Sequence, residues 1–553
     1  MFHVEHQKNK VMNSNNHVLT GNIVDPIARE TYGAELHISG GRISSITRIG
    51  EVRGPYIMPG FVDAHVHIES SMLTPVHFAR AAAAHGTVAA VADPHEVANV
   101  AGVEGLQFMI NDAKAACIKL FFGAPSCVPA SPFDECAQPF TSQVVDGLMA
   151  RPDIHFLAEM MNFPGVINGN EEVAKIIASA HSHGKPIDGH APGLLGDDLR
   201  AYAAAGIATD HECYSMTEAL QKIDLGMHVL IREGSAAKNF EALHALISDH
   251  PNRVMLCTDD CHPDELERGH INSLLHRALA HGHSIYDVLC AAAVNPVRHY
   301  RLDVGLLQPG DSADFIVVDD LQHLRVLATY VGGVDLIKLP APPSSRAVQP
   351  TYVFPSKPPR LNLEVTATTS RCRAIGVVPD QLITEPFIFN VSAGQPVLPS
   401  LEADILKIVV LSRYSDHKFS VGFIHGVGLQ RGAIASSIAH DSHHIVALGA
   451  DDDSISRAIS YIVEHGGGLA FAPSPQQVSG IPLPVFGLMA DAPVAAMARA
   501  YSQLNDDVLA NGCSLKHPFM TMAFMSLTVI PKLKLTPSGL FDGDKFCFTE
   551  LFV

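Results

Sequence analysis

The stretch MPGFVDAHVHIESSM, Met58 to Met72, closes an apolar run on two histidines placed two apart, His65 and His67. Side chains along a strand alternate between faces, so residues i and i+2 point the same way, and both imidazoles can reach one cation. Two other close pairs in this histidine-rich chain serve as controls. His181 and His183 end a helical segment, and His281 and His283 lie in a helix-to-helix turn. Two-residue spacing does not align side chains on a helix, so these four are read as surface histidines.

Outward from this stretch, GTVAAVAD, KLFFGAPS, IHFLAEM, PIDGH, GIATDHE, MHVLIRE and RVMLCTDD alternate with helical segments over residues 58–300. That rhythm predicts a (β/α)8 TIM-like barrel, whose functional residues gather at the C-terminal ends of the strands. Polar residues stand where the runs stop: Glu159 after IHFLA, His190 after PIDG, His211 after GIATD and Asp259 after RVMLCT. With His65 and His67 they make a mixed N/O set of four histidines and two carboxylates, suited to two divalent ions of the Fe, Mn or Zn kind. Glu159 can span both ions. Cys257 and Cys261, which flank Asp259, read as buried thiols rather than ligands.

Residues 18–57 carry short alternating segments around a Gly-Gly turn, and a similar pattern returns in 301–338. These are read as two halves of one small β-sandwich domain into which the barrel is inserted. The Pro-rich stretch 339–360 serves as a linker, and 361–553 mixes strand and helix patterns into a C-terminal α/β domain. Residues 1–17 read as a flexible polar extension.

At 553 residues the chain is longer than one core usually supports, and 47% hydrophobic with 17% charged residues describes a well-packed globular protein. A formal charge of −19 argues against a nucleic-acid partner, which needs a basic face. No apolar run reaches the roughly 20 residues that span a bilayer, and the first residues lack a hydrophobic signal core, so no membrane association and a cytoplasmic location are expected. The ten scattered cysteines make no C-x-x-C pair and read as reduced thiols.

Taken together, PGFVDAHVHIESSM, DPHEVANV from Asp93, AEMMNFPGVING from Ala158, DGHAPGL, IREGSAA, CTDD and RGAIASSIAHDSHHIV resemble the adenine deaminase family of the amidohydrolase superfamily. The resemblance covers nearly the whole chain. Many two-metal barrels of this superfamily use a carboxylated lysine as the bridge; here the matching strand offers Glu159. The resemblance implies a binuclear site with Mn2+ or Fe2+, adenine and water as substrates, hypoxanthine and ammonia as products, and a place in purine salvage. A homo-oligomer is expected.

In this reading Asp259 passes a proton from the attacking water to the leaving nitrogen, and Glu212 protonates N1 of the ring. Arg232, Glu233 and Ser235 are candidate contacts for the ring edge. His95 and Glu96 position substrate, bind an extra metal or cap a helix, and Asp441 and His443 close over the barrel mouth or form a polar strand entry. The rival enzyme is a cyclic-amide or amide hydrolase on the same barrel, and the rival non-enzyme is a scaffold that keeps only the fold. A different deaminase fold, with one zinc and an H-x-E…P-C-x-x-C signature, is matched by His3-Val4-Glu5 in its first half only and is discarded.

Overall fold

The computed structural model describes residues 16–553 except 236, 343, 346, 349–351, 353, 380 and 416–417. His3-Val4-Glu5 and all but the last two residues of the expected extension lie outside that range.

The chain opens with an antiparallel meander, β1 (His17–Asp25), β2 (Glu30–Ser39) and β3 (Arg42–Arg48), and β4 (Tyr56–Pro59) pairs parallel with β1. Gly40 and Gly41 connect β2 to β3 with φ of 60° and 79°. Both central residues of such a two-residue hairpin need positive φ, which glycine adopts without a Cβ penalty.

Five parallel strands follow: β5 (Phe61–Val66), β6 (Thr87–Ala92), β7 (Lys119–Ala124), β8 (Ile154–Met160) and β9 (Ile187–Gly189). Three more, β10 (Thr209–Asp210), β11 (His228–Arg232) and β12 (Val254–Cys257), form a second parallel sheet. Backbone bonds join the two sheets at both seams. Ala208 N donates to Ile187 O at 3.0 Å on one side. On the other, His67 N donates to Asp259 O at 3.1 Å and Asp259 N to His65 O at 2.9 Å. Eight parallel strands therefore close on themselves. All six residues of β6, TVAAVA, are buried, as befits a strand with helices outside and the barrel core inside.

Beyond the barrel, β13 (Phe315–Val318), β14 (Val326–Val331) and β15 (Val334–Asp335) return to the first sheet, where β13 lies antiparallel to β4 with Ile316 opposite Met58. The result is one seven-stranded sheet drawn from both flanks of the barrel.

The C-terminal part holds an eight-stranded sheet, whose strands run from Arg371–Val377 to Gln477–Pro482, and a three-stranded sheet at Leu533–Thr536, Gly539–Asp542 and Cys547–Phe548. The helix Asp452–Glu464 starts where the Asp451 carboxylate accepts from Ser454 N at 2.8 Å, satisfying one of the free N–H groups of its first turn. This part packs onto the strand-end face of the barrel. Ala490 N donates to Met72 O at 2.8 Å, Tyr414 Oη to Asn99 O at 3.2 Å, and Tyr501 Oη lies 2.9 Å from His262 Nδ1. Among the described residues no helix is long and apolar enough to cross a membrane.

Candidate metal centre

The seam between β5 and β12 decides where the site sits. The Asp63 carboxylate accepts from Thr258 N at 3.0 Å and lies 3.0 Å from His270 Nε2, so the end of β5 is tied to the loop after β12. Across that seam the Nε2 atoms of His65 and His67 approach to 3.3 Å, and Asp259 Oδ1 lies 3.4 Å from the first and 3.1 Å from the second. Asp259 holds a left-handed backbone, φ 55°, a conformation that costs most residues energy and that clusters at functional sites.

Glu159, at the end of β8, is the second focus. Its Oε2 lies 2.8 Å from His190 Nδ1 and 3.1 Å from His211 Nε2. Its Oε1 lies 3.3 Å from His95 Nδ1 and 3.6 Å from His67 Nε2. The structure thus brings all six expected ligand candidates, His65, His67, Glu159, His190, His211 and Asp259, into one cluster. The side chains of His65 and Glu159 are 0% and 3% exposed, whereas His190 at 27% stands toward the opening.

The donor set suits cations. Potential ligand atoms of His67, Asp93, His95 and Glu159 lie within 4.8 Å of one another, as do those of His65, Glu159 and His211, and those of His65, His67 and Asp259. Two imidazole nitrogens facing each other in a dry enclosure share at most one proton, whereas a divalent ion satisfies both lone pairs and the adjacent carboxylates. The His67 Nδ1, 3.0 Å from the Asp93 carbonyl, is fixed from behind so that Nε2 faces inward. Burial opposes ionisation of Glu159, yet the imidazoles of His190 and His211 hold its carboxyl well below the usual range. Burial likewise opposes ionisation of Asp259, and Arg232 outweighs it.

Several expected roles change. Glu212 was expected to protonate the ring, but Arg232 grips both its oxygens, with Nη2 to Oε2 at 2.9 Å, and holds it ionised against the cost of burial. Such a carboxylate accepts a hydrogen bond and carries no proton to give at neutral pH. Arg232 also donates to Asp259 Oδ2 at 2.8 Å, so it belongs to the site as a clamp between two carboxylates. Glu233 does not face the ring position: it accepts from Phe240 N at 3.2 Å and pairs with Arg277 on the barrel's outside. Ser235 also turns away from the expected contact, its hydroxyl donating to Glu265 Oε2 at 2.6 Å while accepting from His262 N at 2.9 Å.

His95 touches Glu159, the placement that its extra-metal alternative calls for, and Asp93 beside it was not among the expected ligands. The signal was there, because Asp93 closes GTVAAVA as Glu159 closes IHFLA. Glu96 reaches across to the C-terminal part, where His440 Nδ1 and His443 Nε2 each hold one of its oxygens. His440 was also missed. Asp441 lies between these histidines in sequence, buried, with Oδ2 unpartnered among the described residues; burial and then Glu96 push its carboxyl up to about 7.

Comparison with known proteins places the chain by its sequence. The chain matches the amidohydrolase family over residues 56–336 and the adenine deaminase C-terminal domain over residues 381–547. An adenine deaminase of Methanosarcina mazei is 46% identical over 96% of this chain and 99% of its own length. Another, of Salinibacter ruber, is 47% identical over 97% and 99%. Among solved structures, a β-aspartyl dipeptidase of Fervidobacterium islandicum AW-1 aligns over 58% of this chain and 96% of its own, with 14% identity and a TM-score of 0.44. The match over residues 56–336, on a closed eight-stranded barrel, makes this a metal-dependent hydrolase of the amidohydrolase class. Within that class the chain belongs to the adenine deaminase family.

Proposed function

We infer that the chain hydrolyses adenine to hypoxanthine and ammonia. The family membership over nearly the full length carries the reaction, and the convergence of Glu159 and Asp259 with four imidazoles supports the site assignment. His65, His67, Glu159, His190, His211 and Asp259 would hold two divalent ions, Mn2+ or Fe2+, with His95 and Asp93 adjoining. Ions bound there would supply Lewis acidity, bringing the pKa of water from about 15.7 towards 7, so that water could attack C6 as hydroxide.

The chain's own groups do the rest. Asp259, held as an anion by Arg232, takes the proton of the attacking water and returns it to the departing amino nitrogen. The second proton of the attacking water, left on the C6 hydroxyl, passes to N1 as the C6 carbonyl forms, and Glu212, ionised against the same arginine, accepts a hydrogen bond from the resulting N1–H. Glu96, His440, His443 and Asp441 close the mouth between barrel and C-terminal part and exclude water. We further assign the protein to purine salvage in the cytoplasm, acting as a homo-oligomer without nucleic-acid or membrane partners.

Ammonia release and the adenine-to-hypoxanthine absorbance change, followed with Mn2+- or Fe2+-loaded protein and a metal-stripped control, test the reading. Metal-dependent turnover of adenine but not adenosine is expected, lost in the His65→Ala/His67→Ala variant while its circular dichroism is unchanged. Ammonia from amides but never from adenine would move the assignment to the amide-hydrolase class.

A further inference from the structure

Outside the proposed metal centre, the segment after β11 and the end of the helix Ile271–Ala280 carry a second cluster of ligand-type side chains. Glu241 and His244 lie on and just after the short helix Phe240–Leu243, and His281 and His283 follow the helix Ile271–Ala280. Potential ligand atoms of Glu241, His244 and His281 lie within 4.8 Å of one another. The imidazoles of His244 and His281 stack with centroids 3.9 Å apart, and His281 Nε2 stands 3.1 Å from Glu241 Oε2.

Two relays hold this arrangement from behind. Ser248 Oγ lies 2.6 Å from His283 Nδ1, and His283 Nε2 lies 2.9 Å from His244 Nδ1. With Nδ1 engaged, Nε2 of His244 is the nitrogen left to a cation. A ligating imidazole whose other nitrogen is fixed by an outer partner is the usual construction of a metal site. On the other side, Arg277 Nη2 donates to Glu241 Oε1 at 2.7 Å, which turns Oε2 toward His281. Its charge is matched by Glu233 as well as Glu241, so the arginine orients the carboxylate without leaving the cluster with an unbalanced cation.

We propose that Glu241, His244 and His281 form a second metal site, for a single divalent ion of the zinc class, separate from the catalytic centre. Two imidazoles and one carboxylate are ligands that suit Zn2+, and three protein ligands leave a coordination position for water. Access is open, since the side chains of His281 and Glu241 are 37% and 63% exposed. His281 also caps the C-terminal end of a ten-residue helix, where the free carbonyls favour positive charge. Occupancy ties the loop after β11 to the helix Ile271–Ala280 and stabilises the wall by preferential binding to the folded state.

The test compares full-length, Mn2+-loaded wild type with His244→Ala, His281→Gln and Glu241→Gln, each exposed to Zn2+, desalted and counted for bound metal. Exchange at the catalytic centre is common to all four proteins and cancels. Wild type is expected to retain one Zn2+ per chain more than each variant, and to gain a Zn2+-dependent rise in melting temperature that His281→Gln lacks, with adenine turnover equal throughout. Should His244→Ala fail to fold, the exposed His281→Gln position decides. Equal Zn2+ retention by wild type and His281→Gln overturns the proposal.

Discussion

Arg232 is the residue on which the proposed chemistry leans hardest. Its guanidinium bridges Glu212 and Asp259 in a buried setting, and only a planar fork satisfies two carboxylates in that geometry. Lysine keeps the charge but not the fork. Arg232→Lys is expected to lower kcat/KM about a hundredfold, roughly 2.7 kcal/mol of transition-state stabilisation, with bound metal unchanged. Steady-state kinetics beside a metal count check this, and full activity in the variant would detach Arg232 from the reaction. The arginine was legible as a strand-end residue, but its partners were not: Glu212 lies 20 positions away and Asp259 27. Glu233, its neighbour, illustrates the converse, because adjacent strand residues face opposite ways and Glu233 leaves for the outer wall.

Strands and helices were read well where periodicity and turn chemistry agreed. The Gly-Gly hairpin, the parallel runs and their polar terminators each follow from local rules, and β9 and β10 keep their terminal histidines although only 3 and 2 residues of each pair as strand. One C-terminal strand holds a feature that no pattern announces. In Leu533–Thr536 the Lys534 ammonium is buried, donating to Leu382 O and Phe524 O at 3.0 Å each. Burial without a counter-charge pulls its pKa down to about 7. Between there and the unfolded value near 10.4 the unfolded chain binds more protons, so stability rises with pH over that window and the penalty is greatest below pH 7. From pH 7 to 9 this group alone contributes a gain on the order of 2 kcal/mol. Thermal unfolding of wild type and Lys534→Met across that range checks it: the wild-type melting temperature should climb relative to the variant, and parallel curves would refute the assignment.

The molecule as a whole is built so that the barrel's open face is covered by another part of the same chain. Glu96 with His440 and His443, and Met72 with Ala490, are joints between segments hundreds of residues apart. Cations in the proposed centre would add to this stability, because a ligand bound only by the folded state stabilises it by about 4 kcal/mol at a thousandfold excess over Kd. Chelator-stripped protein is therefore expected to melt at a lower temperature and to lose turnover, both returning when Mn2+ is restored. Scanning calorimetry with paired assays measures this, and an unchanged melting temperature with unchanged activity would remove metal from the account.

Reading residues in order was enough for the fold class and, through the resemblance of its motifs, for the family, and it offered six ligand candidates because barrel strands place their functional groups by a local rule: the residue where an apolar run stops. Direction and partnership at the loops came only from the tertiary structure. Whether Glu212 bears a proton, whether Ser235 faces a substrate, what Glu96 touches and why His281 and His283 meet His244 all depend on contacts between distant segments. Spacing along the chain encodes which face of a strand a residue occupies, but a loop side chain points where long-range packing and electrostatics leave it.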